Sequence, residues 1–345
     1  MLKDLLKLKY LRLDGGLINF IVNNFNSKDR ASLFNGEAFE LQFKYNAFKE
    51  EELAVFYNEE KLKKADEYAD NLIEKSNEQN VSIVSYYDEA YPINLKAIKQ
   101  CPLFIFVKGN LDLLNSTKSV ACVGTRKASE KTLKLVGDIV KDLVEEEIVI
   151  ISGLAKGIDA QSHKECLAHN GKTIAVMAHG LDTIYPKENT SLAESILENG
   201  GTLVSEYPIG IKGHKSHFVA RNRIISGLSE GVIVFEADEK SGTMHTARFA
   251  YSQGKKIFCP NLTAYGEKLS SGVEKLLKTE SAFPITNGKE LINKLFLNKE
   301  DFLNIKIKPS TIKALESISK SKEISIEELI DSLILKYIEG ERGYE

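Results

Sequence analysis

No stretch of this 345-residue chain approaches the ~20 consecutive apolar residues that a membrane-spanning helix needs. The opening residues, MLKDLLKLKYLRLDGG, are charged throughout. They lack a continuous apolar segment and a small-residue cleavage site, so they do not read as a secretory signal. The four cysteines, Cys101, Cys122, Cys166 and Cys259, show no CxxC spacing, and two of them sit inside apolar strands. Reduced, mostly buried thiols in a cytoplasmic protein are the expectation. An excess of positive charge is missing too: the formal net charge is −3. Any affinity for nucleic acid must therefore come from a local cationic patch. No Ser-His-Asp set is identifiable. His214-x-x-His217 has no acidic or thiolate partner at a recognised offset. No metal site, no cofactor and no catalytic residue are expected. Internal repeats and low-complexity tracts are absent from the sequence.

What is present is a hydrophobic fraction of 43%, enough for a substantial core in two or three domains. Residues 1–80 are helix-like, with apolar positions three and four apart over 53–73. Residues 81–112 hold a short strand and then two prolines, Pro92 and Pro102, that favour extended chain. From Ser119 onward strand and helix alternate strictly. The strands are SVACVG, IVIIS, KTIAVMA, TLVSE, GVIVFEA and KKIFC. Helices are expected at 129–146, 158–170, 189–199, 218–229 and 244–253, the first capped by Ser129. Unbroken Val/Ile strands between helices imply a parallel sheet covered on both faces. The expected fold is α/β: a doubly wound, mostly parallel Rossmann-like sheet over 81–295, a helical region over 1–80, and a small module over 302–340.

Small residues cluster where these strands end, as anion sites beyond the carboxyl ends of parallel strands require. Gly124, Thr125, Arg126 and Lys127 follow the first strand; alone they would suit an ordinary strand-to-helix turn equally well. Ser152, Gly153, Lys156 and Gly157 follow the second, with glycines too close together for a nucleotide P-loop. Asp159 and His163 lie four apart on the next helix. They read as a helix-face hydrogen bond that positions the loop rather than as an acid/base pair. Lys212, Lys215 and Phe218 combine cations with an aromatic ring, which suits single-stranded nucleic acid. Arg221 and Arg223 flank Asn222. Two residues apart on a helix they point in opposite directions, so one is expected at DNA and the other in a structural pair with Glu206 or Glu236. Ser241, Gly242 and Thr243 form a further phosphate-sized turn, with Thr243 the expected helix cap.

Taken in order, VGTRKAS, ISGLAKGIDAQSHKECL, GKTIAVMAHGLDTIYPKEN, GTLVSEYP, FVARNRIISGLSEGVIVFEA and SGTMHTARFAYSQGKKIF resemble the successive motifs of the DprA/Smf family of DNA-processing proteins. YDEAYPINL and PLFIFVKGN are similar to its lead-in. The resemblance covers roughly 85–260. It implies a Rossmann-like, self-associating protein without catalysis, which binds and protects single-stranded DNA and passes it to the RecA recombinase in natural transformation. The implied DNA-binding positions are Gly124, Thr125, Arg126, Ser152, Gly153, Lys156, Lys215, Phe218, Arg221, Asn222, Ser241 and Gly242, and the neighbouring Lys127, Arg223 and Thr243 are further candidates. The chain departs from the family after Cys259, where Pro260-Asn261 stands in place of Pro-Gly.

The tail KIKPSTIKALESISKSKEISIEELIDSLILKYIE is similar to a ribbon-helix-helix unit. Alternation over 303–308 places Leu303, Ile305 and Ile307 on one face of a strand. Asn304, Lys306 and Lys308 fall on the other, as candidate contacts to duplex DNA in a homodimer. A plain dimerising helical hairpin is the simpler reading. The competing function is an enzyme: a nucleotide-binding or nucleoside-monophosphate-cleaving member of the lysine-decarboxylase-like group. Against it, no carboxylate follows the turn at Thr243.

Overall fold

The computed structural model describes residues 1–261, 268–296, 309–322, 326 and 329–330. The chain divides into two compact units, Met1–Phe296 and Leu297–Glu345.

The first unit is built on a sheet of nine strands. These are β1 (Ser82–Ser85), β2 (Phe104–Gly109), β3 (Ser119–Val123), β4 (Val149–Ser152), β5 (Thr173–Met177), β6 (Thr202–Ser205), β7 (Gly231–Val234), β8 (Lys256–Pro260) and β9 (Phe283–Ile285). Their spatial order is β1-β2-β6-β5-β4-β3-β7-β8-β9. From β6 to β9 every pairing is parallel. β1 and β2 extend the β6 edge in antiparallel fashion. The chain runs outward from β3 through β4 and β5 to β6, then returns past β3 to β7. β3 and β7 are therefore neighbours from which the connections depart in opposite directions. Cys122 pairs with Ile233 and Val123 with Val234 at that seam. Such a seam leaves a crevice beyond the strand ends, since neither crossover covers it.

The parallel strands β3 to β7 are buried at every position, as their unbroken apolar sequences require. One face packs on Val136, Ile139, Val140 and Leu143 of the Glu130–Glu145 helix and on Ile158 and Cys166 of the Ile158–Ala168 helix. The other packs on Ile224, Ile225 and Leu228 of the Lys215–Leu228 helix and on Met244, Ala247 and Ala250 of the Thr243–Ser252 helix. The N-terminal helices are continuous with this architecture. Leu5, Ile21, Phe56 and Leu72 share one core with Phe104 and Phe106 of β2 and Met177 of β5.

Most expected boundaries fall within a few residues of those observed. β7 ends at Val234, three residues short of expectation, although Phe235 N–H still donates to Val123 O at 3.1 Å. The helix expected from 218 begins at Lys215, because His214 caps it through Ser216 N–H. The candidate duplex contacts Asn304, Lys306 and Lys308, with the whole 303–308 strand, lie outside the described residues. In the second unit the Pro309–Lys322 helix is present, and Ile312 and Ile318 are exposed on it.

Candidate nucleic-acid interface

Three loops meet at the β3/β7 crevice, and glycines set how closely. Gly157 has φ +77°, and a Cβ there would lie 2.3 Å from Thr125 O. A Cβ on Gly124 would lie 2.4 Å from Ile158 Cγ1. With no side chains in the way, Ile158 N–H donates to Thr125 O at 3.2 Å. Thr125 N–H donates to Glu236 O at 2.8 Å. Thr243 Oγ1 donates to Gly124 O at 2.9 Å. Thr243 is thus the first residue of its helix and a tie between loops; Gly242, not Thr243, occupies the cap position. Asn222 Nδ2 donates to Gly242 O at 3.3 Å and joins the Lys215–Leu228 helix to the same set.

These loops wall one broad, open groove. Gly124, Thr125, Arg126, Lys127, Lys215, Phe218, Arg221, Asn222, Ser241, Gly242 and Thr243 all line it. A small recess adjoins it, where Arg126, Phe218 and Arg221 recur together with Gly153 and Lys156. The exposed cations are Arg126, Lys127 and Lys215. Lys156 is exposed as well, but its Nζ pairs with Glu188 at 2.7 Å. Ser241 Oγ is buried without a hydrogen-bond partner. One groove thus presents exposed cations, backbone turns and an aromatic ring, the combination that tracks a single strand.

Two expected contacts do not reach the groove. Ser152 is fully buried, and its Oγ donates to Cys122 O at 2.6 Å. Arg223 is buried on the far side of its helix. It forms a bidentate pair with Glu206 at 2.8 and 2.5 Å and donates to Gln100 O at 3.1 Å. Glu206 is thus the structural partner expected for one of the two arginines. Arg221 is nearly as enclosed, at 4% exposure. Its guanidinium donates to Gly153 O at 2.8 Å and to Val176 O, and so clamps the exits of β4 and β5. Burial pulls its pKa down to about 10, opposed by the Asp159 carboxylate, so it stays charged at neutral pH. Burial in turn pushes the Asp159 carboxyl up, against Arg221 and the Ala155 N–H, which donates to it at 3.4 Å.

Asp159 and His163 do not bond each other. Thr173 Oγ1 donates to Ile150 O at 2.7 Å and therefore accepts the His163 Nδ1–H at 2.7 Å. Burial, with Arg221 nearby, lowers the His163 pKa to about 3. The acid/base pair is thus ruled out on geometry, and the loop-positioning role falls to Asp159 through Ala155.

A family model described as "DNA recombination-mediator protein A" matches residues 82–296. The chain belongs to that family. DNA processing protein DprA of Streptococcus pneumoniae is 44% identical over 209 residues, 60% of this chain and 72% of that protein. Protein Smf of Escherichia coli is 40% identical over 217 residues, 63% of this chain and 57% of that protein. The match to DprA of Bacillus subtilis, at 41% identity, likewise spans only 61% of the relative. The X-ray structure of the S. pneumoniae protein superposes with a TM-score of 0.67 at 35% identity, over 85% of this chain and 97% of that one. DprA of Helicobacter pylori superposes with a TM-score of 0.57 at 30% identity, over 65% and 97%. The work on that protein concerns its single-stranded DNA binding mode. The Rossmann-like sheet of this chain is the family's fold.

Glu236 and Tyr185 are among the lining residues not expected as contacts, although both lie within the motifs. Glu236, just past β7, lines the groove and accepts the Ser129 N–H at 3.3 Å. Tyr185 lines both groove and recess. Its signal was available: it follows β5, whose end lies on the same sheet edge as the other loops.

Proposed function

We propose that this protein is a single-stranded DNA-binding recombination mediator that holds the strand in the β3/β7 groove. The observation that carries this reading is the convergence of Arg126, Lys127 and Lys215 on the seam where open α/β sheets bind ligands. The net charge of −3 makes that patch a local device, not a reflection of overall composition. Family membership, and the single-strand binding named for the H. pylori relative, support the same reading. In the cell the protein would protect incoming DNA and pass it to a RecA recombinase in natural transformation, acting in the cytoplasm as a homodimer. Phosphates contact Gly124, Thr125, Arg126, Lys127, Lys215, Ser241 and Gly242 in this proposal, while Arg221 and Asn222 hold the groove's shape.

No catalysis is proposed. Met244, His245 and Thr246 follow Thr243, so the carboxylate that would stabilise an oxocarbenium-like centre is absent from that turn. Asp159 and His163, the acid/base candidate raised by the sequence, are buried and bond other partners. Incubating the purified protein with AMP or ATP tests this. No product is expected; multiple turnovers lost on changing His245 would mark it an enzyme.

A further inference from the structure

We propose that Tyr185 is a base-stacking platform that seats one nucleotide of the bound strand, its phosphate in the recess and its base on the exposed face of the ring. This rests on the single-strand reading above and names a contact within it. The ring is 53% exposed, an unfavourable place for so large an apolar surface. It is not loosely held. Pro186 beside it is buried, and Asn189 Nδ2 donates to Leu154 O at 2.8 Å. The Glu188–Lys156 pair at 2.7 Å adds a second tie between the same two loops. The Phe218 ring backs the tyrosine at a centroid distance of 5.4 Å, with the planes 55° apart. A supported ring with about half its surface open is what stacking needs, since little side-chain freedom is lost on binding.

The surroundings select the ligand. Arg126, Lys156 and Arg221 line the recess beneath the ring, beside the apolar walls Tyr185, Pro186 and Phe218. Arg221 brings a buried positive charge, and its described hydrogen bonds use only Nε and Nη1. A purely apolar ligand would leave the exposed Arg126 guanidinium uncompensated, since Lys156 already pairs with Glu188 and Arg221 lies near Asp159. A free inorganic anion would leave the ring bare. A nucleotide unit of a single strand satisfies both, and because every base has a π-face the seat tolerates any sequence. Paired bases in a duplex cannot reach the ring, so Tyr185 favours single strands over duplex.

The test compares full-length protein and the variants Tyr185→Ala, Tyr185→Phe and Arg126→Ala on fluorescent oligothymidylate and on an abasic oligonucleotide of equal length, across a salt series. Stacking is worth ~1–3 kcal/mol per base, which is about 5- to 150-fold in affinity. Tyr185→Ala should lose that factor on oligothymidylate with an unchanged salt slope, and much less on the abasic strand. Tyr185→Phe should bind as the parent does. Arg126→Ala should weaken both oligonucleotides and flatten the slope. If Tyr185→Ala matches the parent while Arg126→Ala loses affinity, the platform is wrong and the single-strand groove stands. If Tyr185→Ala weakens both oligonucleotides equally, the residue is structural and the platform is again wrong. If the parent binds neither oligonucleotide, the groove assignment itself fails.

Discussion

Cations of one groove divide into those that meet a phosphate and those that hold the groove together, and exposure separates them. Arg126 and Lys215 are exposed at the crevice. Changing either to alanine should weaken single-strand binding and reduce the slope of log K against log salt by ~0.7, the value per released phosphate counterion. Thermal melts should be unchanged. Arg221→Met should behave differently. It removes the donors to Gly153 O and Val176 O and leaves Asp159 buried without its nearby opposite charge. Chemical denaturation should show a loss of roughly 3 kcal/mol together with lost binding. His163 gives a pH signature. Its folded-state pKa is lowered to about 3, so the unfolded chain takes up a proton near its ordinary value and the folded protein does not. Stability is therefore whole above about pH 6.5 and falls as pH drops from there towards 3, by up to ~1.4 kcal/mol per unit. His163→Asn should flatten that fall in urea melts taken between pH 7 and 5. At this scale the sequence was partly legible. Two-residue spacing on one helix separated Arg221 from Arg223 and pointed to a glutamate partner. The burial of Arg221 was not legible, because the loop after β4 encloses it and helix geometry alone carries no trace of that loop.

At the level of elements, periodicity located nearly every strand and helix of the sheet, because fully buried strands and amphipathic helices have different periods. Strand order was less accessible. The antiparallel β1 and β2 attach beside β6, some hundred residues away in sequence, and only packing decides that. The Thr243 assignment failed for a related reason. A hydroxyl at a turn can cap its own helix or bond a neighbouring loop, and here Gly124 O competes successfully. The contact between the two glycine loops is the element-level feature most open to test. Gly157→Ala forces a Cβ into Thr125 O and a non-glycine residue into a left-handed φ. A strain of ~1–2 kcal/mol from the backbone alone, plus the clash, should lower the melting temperature and separate the loops that form the groove. Unchanged melting and binding in this variant would show that the loops do not depend on that contact.

For the molecule as a whole, the N-terminal helices and the sheet form one unit, and the tail forms another. Sequence read the 1–80 helices as a separate region, since composition cannot report that Leu5 and Phe106 share a core. The tail is proposed to dimerise the chain. Deleting 302–345 should reduce self-association in sedimentation while sparing single-strand affinity. The central claim, a single-strand groove at the β3/β7 seam, is tested most directly by titrating the intact protein with labelled single-stranded and duplex oligonucleotides of equal length, and with AMP, over a range of salt. The groove predicts preference for the single strand, a linear fall of log K with log salt, and no competition from AMP at similar concentration. Equal affinity for duplex and single strand, or binding of AMP indifferent to salt, would contradict it.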